Sequence, residues 1–185
     1  MAGDNAVIGT GQPIRNGHSY DFAVGLNNSN QYALRTVFQV AGEDTRRHLR
    51  VGEVNTAAGG ACSAPTAWST LSDAGQQFQP SISYASRDGA PTWWMVYLTT
   101  SAVPDPTKPY VHPEATRIDP LILVYRTDLT STDWYACPRT DDGSWGDYFD
   151  LTQFKDTNGR WWSASAFSAS RPAPPCGPSS PWLAQ

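Results

Sequence analysis

Apolar and polar residues alternate with period two along most of this chain, and Gly, Asn, Asp and Pro punctuate the alternation. That pattern predicts short β-strands joined by tight turns. A first set covers Tyr20–Leu26, Tyr32–Ala41, residues 48–55 and a short segment at 66–70 containing Trp68. A second set covers 79–85, 92–100, 120–127 and 133–137, the last containing Trp134, and a third covers 148–154 and 160–168. Asn27-Asn28-Ser29-Asn30, Ser86-Arg87-Asp88-Gly89 and Lys155-Asp156-Thr157-Asn158-Gly159 sit at matching places as the first turns, because Asn, Asp and Gly tolerate left-handed backbone geometry. Trp93-Trp94-Met95-Val96-Tyr97-Leu98 and Leu121-Ile122-Leu123-Val124-Tyr125 break the alternation with continuous apolar runs. Such runs predict strands covered on both faces.

The three sets open alike. Gly17-His18-Ser19-Tyr20-Asp21-Phe22, Gln77-Phe78-Gln79-Pro80-Ser81-Ile82 and Trp145-Gly146-Asp147-Tyr148-Phe149-Asp150-Leu151 each lead into a strand, a turn and a second strand. Repeated β-units of this size predict stacked or radially arranged sheets, with blades at about 18–71, 77–139 and 145–170. Residues 103–118, with prolines at 104, 106, 109 and 113, read as an inserted loop. Residues 1–17 read as an irregular lead-in. Residues 171–185 read as an extended Pro-rich tail, so that the third unit lacks its last two strands.

At these openings, and at Asn158-Gly159-Arg160-Trp161, the chain resembles the sialidase-like, Asp-box (BNR) β-propellers over roughly residues 18–170. Ser86-Arg87-Asp88-Gly89-Ala90-Pro91-Thr92-Trp93 has the length of an Asp box with its Gly one place early, and Asp73-Ala74-Gly75-Gln76-Gln77-Phe78 fits only the second half. The resemblance implies an all-β fold of stacked four-stranded antiparallel sheets forming a partial propeller, the alternative being a β-sandwich. It also implies a glycan-directed site of three arginines, an acid and a Tyr activated by Glu. That set does not map onto Arg15, Arg35, Arg117, Arg126, Glu53 or Glu114, and no Tyr partner for either glutamate is identifiable from sequence.

Composition narrows the function classes. A net charge of -4 argues against nucleic acid, which needs a basic face. No apolar stretch approaches the roughly 18 residues of a membrane span. Met1-Ala2-Gly3-Asp4-Asn5 lacks the basic start and apolar stretch of a signal peptide, so either such a segment has been removed or the protein stays inside the cell. Cys62, Cys137 and Cys176 lie far apart without a zinc spacing, leaving one disulfide or three thiols open. The acidic run Asp141-Asp142-Gly143-Ser144-Trp145-Gly146-Asp147 is a weak Ca²⁺ candidate without the EF-hand pattern, so no cofactor is expected. His18, His48 and His112 are scattered and read as ordinary surface residues.

Residues opening the first strand of each unit would face a channel mouth in a propeller, which makes Tyr20, Asp21, Gln79, Asp147 and Tyr148 the candidate ligand site. The expected function is an extracellular, non-catalytic binding or scaffold module for a glycan or a protein. Self-association or a partner chain would complete the ring. The alternative is a fragment of an exo-sialidase-type glycoside hydrolase.

Overall fold

A computed structural model describes residues 6–7, 13–14, 20–41, 47–55, 67–71, 77–100, 111–118, 123–128, 150–169 and 180–184. Two short strands, β1 (Ala6–Val7) and β2 (Pro13–Ile14), form a small ladder. The first sheet runs in chain order through β3 (Tyr20–Leu26), β4 (Tyr32–Ala41), β5 (Arg47–Asn55) and β6 (Ala67–Leu71). The second runs through β7 (Gln77–Arg87), β8 (Ala90–Thr100), β9 (Val111–Ile118) and β10 (Leu123–Asp128). A third holds β11 (Asp150–Lys155), β12 (Trp161–Ala169) and β13 (Ser180–Ala184). Every ladder is antiparallel, and no helix occurs among the described residues. The protein is all-β, as its alternation predicts.

The three opening strands do not pair with one another. Each is the edge strand of its own sheet, and β7 packs against β3 on one side and β11 on the other.

Two strands contradict the sequence reading. Residues 111–118, expected in a loop, form β9 between β8 and β10. Pro113 fits there because it lies beyond the last β10 pair, Asp128 with Glu114, so its missing N–H leaves no rung broken on that side. The expected tail contributes β13, with Pro181 opposite Ser168 on an edge strand, so the third sheet has one strand more than expected. The segment 120–127, expected as a third strand, appears as the fourth, β10. Expected strand 133–137 lies outside the described residues.

Proline also explains the irregularity of β7. Phe78 pairs with Leu98 and Ser81 with Val96, so Gln79 and Pro80 together face Tyr97 as a bulge. Gln79 adopts φ 50°, a left-handed conformation that a non-glycine residue enters only when its surroundings hold it there.

Side-chain alternation along β8 divides its residues between two cores. Trp93, Met95 and Tyr97 join Ile82 and Ile118 against Val37, Leu49, Val51 and Leu71 of the first sheet. Val96, with Trp94 beside it, joins Ala115 against Leu151 of the third. The second sheet is thus covered on both faces, which accounts for the continuous apolar run in β8.

Candidate functional site

The chemistry-bearing side chains gather at the seams between sheets. Strand alternation turns Asp21, Ala23 and Gly25 of β3 toward the second sheet. Asp21 Oδ2 accepts bonds from the Ser81 hydroxyl and the Ile82 N–H, both at 2.9 Å, while its Oδ1 accepts the Phe22 N–H at 2.8 Å. A carboxylate therefore satisfies a backbone donor on an edge strand, where no neighbouring strand is present to do so.

Deeper in the same seam, Arg35 is almost wholly buried. Its Nε donates to Glu53 Oε2 at 2.8 Å, its Nη1 to the Ile118 carbonyl at 3.5 Å, and its guanidinium carbon lies 4.6 Å from the Trp93 ring centroid. The Trp93 indole N–H donates to the Leu26 carbonyl at 3.1 Å. Charge is tolerated here because an ion pair, a carbonyl and an aromatic face replace the water that burial removes.

In the second sheet, Tyr97 donates its hydroxyl proton to Glu114 Oε2 at 2.7 Å and lies 3.2 Å from the Thr116 hydroxyl. This supplies the Tyr partner that sequence did not reveal for Glu114; Tyr97 and Glu114 are directly opposite on β8 and β9, and β9 itself was not expected. Glu53 pairs instead with Arg35. The Tyr97 side chain is fully buried, so its oxygen belongs to the core and not to an open cleft.

At the hairpin end, Arg87 donates to Gln153 Oε1 at 3.1 Å and to the Ser163 hydroxyl at 2.6 Å, joining the second and third sheets. Burial, and then the neighbouring Arg117 charge, lower the Arg87 pKa below its usual value. Gln153 also donates to the carbonyls of Ser83 and Thr92 at 3.0 and 3.3 Å.

Of the candidate ligand residues, Tyr20 is exposed at the start of β3, whereas Asp21 is engaged on β7 and Gln79 is buried in the bulge. Asp147 and Tyr148 lie outside the described residues, as do Asp141, Asp142 and the three cysteines. The repeat also has a different register from the one read in sequence. Asp150, not Asp147, matches Asp21: each carboxylate accepts the following N–H at 2.8 Å, and each carbonyl accepts a hydroxyl fifteen residues on, from Thr36 and Ser165. The offset persists through the turn, where Asn27 and Asp156 each accept N–H bonds from two and four residues ahead.

Among the described residues no cluster of three or more His, Cys, Asp or Glu side chains is placed to hold a metal, and no helix is long and apolar enough to cross a membrane. No family model, curated protein or solved structure matches this chain.

Proposed function

We propose that this chain is a non-catalytic binding or scaffold module of sialidase-like propeller type, acting outside the cell. The observation that carries the reading is the outward row on β3. Tyr20, Phe22 and Val24 stand on one face of that strand and remain 64%, 60% and 61% exposed. An apolar row of this kind costs solubility unless another surface covers it, and its aliphatic and aromatic mix suits a protein more than a sugar. The polar groups in the seams support the scaffold half of the reading, since Asp21, Arg35 and Arg87 tie one sheet to the next.

A second reading, a fragment of an exo-sialidase-type hydrolase, gains nothing from the Tyr97–Glu114 hydrogen bond, because the Tyr97 oxygen is buried in the core. The test pairs a sialoside turnover assay with a glycan array. For the module we expect no turnover, and an array signal above background should be lost in Tyr20→Ala. Turnover that disappears in Tyr148→Phe would establish the hydrolase instead.

A further inference from the structure

Resting on the binding-module reading, we propose that the partner is a second copy of this chain, docked with the outer face of its first sheet on the open face of the third sheet. The third sheet repeats the first with matched register: Asp150 opposite Ala166 corresponds to Asp21 opposite Val37, and Lys155 opposite Trp161 to Leu26 opposite Tyr32. Each face of one sheet therefore has a known counterpart on the other.

The first sheet meets the second through the face carrying Asp21, Gly25, Ala33 and Arg35, and the matching face of the third carries Asp150, Phe154, Trp162 and Ala164. On that face Asp150 and Phe154 are exposed, Phe154 by 43%. Conversely, the third sheet meets the second through Leu151 and Gln153, and their counterparts on the first sheet are the exposed Phe22 and Val24. One open face is thus of the kind that receives a following sheet, and the other of the kind that is received. A chain whose two ends carry complementary faces makes a heterologous, head-to-tail contact.

The seam already formed within the chain shows how closely two such faces pack. Within the chain, the large Tyr84 of β7 sits directly over Gly25, where any Cβ would collide with its ring. On the open face Phe154 stands in the place of Gly25, so the incoming copy must leave room for its ring there. Asp150 would reach the incoming edge as Asp21 reaches β7. The described residues of two copies hold six such sheets, inside the roughly four to eight of closed radial arrays.

The experiment is sedimentation of the full chain across about 1 to 100 µM. Wild type should sediment as twice the 20.2 kDa chain mass. Phe22→Glu on one face and Phe154→Glu on the other should each weaken association at least about tenfold, through a buried unpaired charge. Both positions are exposed, so the variants should keep the wild-type far-ultraviolet spectrum, and Phe22→Ser and Phe154→Ser serve should either fail to fold. Mixing the two variants should restore association, because one of the two contacts in the ring is then free of mutation. A monomeric wild type at 100 µM overturns the proposal. So does loss of association in Phe22→Glu with none in Phe154→Glu, which would mean that two first sheets meet face to face. Failure of the mixture to recover overturns it as well. Sialoside turnover by a dimer of the expected mass would instead remove the non-catalytic reading and leave the docking intact.

Discussion

The first and third sheets start as the same object and end as different ones. Both hairpins share register, the Asp at the strand start and an Asx-type turn. In the first, the face behind the hairpin is closed by the second sheet: Ala33, Arg35 and Val37 are almost inaccessible, and Asp21 is bonded to β7. In the third, Asp150 and Phe154 of the matching face stay exposed and Trp162 is half-buried, while Ala164 is buried. Local sequence sets the hairpin, while the neighbour decides which of its residues bear energy. Substitutions at matched positions should therefore have unequal effects.

The largest difference is expected at Arg35 and its counterpart Ala164. Arg35→Ala leaves Glu53 buried without its cation and removes the bond to Ile118, at a cost of about 3–5 kcal/mol. Ala164→Ser adds a hydroxyl at a buried position that carries no ion pair and should cost less, about 1–3 kcal/mol. Urea denaturation followed by Trp fluorescence measures both. Similar losses at the two sites would dissolve the distinction between closed and open faces.

Gly25 and Phe154 come next. Gly25→Ala should cost about 1–3 kcal/mol, since the Tyr84 ring is flanked by Trp93, with centroids 4.8 Å apart, and has little room to retreat. Phe154→Ala should change the stability of the monomer by about 1 kcal/mol or less. A Gly25→Ala protein as stable as wild type would show that the seam is loosely packed.

Asp21 and Asp150 give a smaller contrast. Asp21→Asn keeps one acceptor oxygen but loses charge toward Ser81 and Ile82, and should cost about 1–2 kcal/mol, in line with hydrogen bonds to charged groups. Asp150→Asn should be close to neutral in the monomer. Hydrogen exchange at the Ile82 amide reports the first change directly: it should accelerate in Asp21→Asn and remain unaltered in Asp150→Asn.

Much of this fold is legible in the chain, and the illegible parts have identifiable physics. β3, β4 and β8 match their expected spans closely because alternation, or a run apolar on both faces, is intrinsic to the segment. β9 is hidden by Pro113, Glu114 and Arg117, which look like loop residues until β8 lies beside them and Tyr97 takes up Glu114. β13 is hidden because Pro181 is compatible with an edge strand but not with a central one. The true repeat register is present in sequence as Asp21-Phe22 and Asp150-Leu151, followed at equal distance by Asn27 and Asp156. Matching on the aromatics at 145–148 moves it three residues too early. Of the candidate site, Tyr20, expected at a channel mouth from its place at the opening of a strand, is exposed on β3. Gln79, expected at the same mouth, lies buried in the bulge of β7 at φ 50°, which the alternation of the segment does not foreshadow.

The smallest effect separates the two turns. Asn27 and Asp156 hold the same pair of N–H groups, but only Asp156 carries charge, and its Oδ2 accepts the Trp162 indole N–H at 3.0 Å. That indole bond, followed by the Arg160 N–H, opposed by slight desolvation and aided by the Asn158 N–H, holds the Asp156 carboxyl below its ordinary pKa. A carboxyl depressed in the folded state contributes stability that is present above the unfolded value of about 3.9 and lost as pH falls through the folded value. Carbon-detected titration should place the Asp156 midpoint below 3.9, and Trp162 emission should change over the same acid range. In Asp156→Asn the turn should persist, as Asn27 shows it can, with the acid-range change in Trp162 abolished. A midpoint at or above the ordinary value would mean that the indole bond contributes nothing, and would make the two turns energetically equivalent.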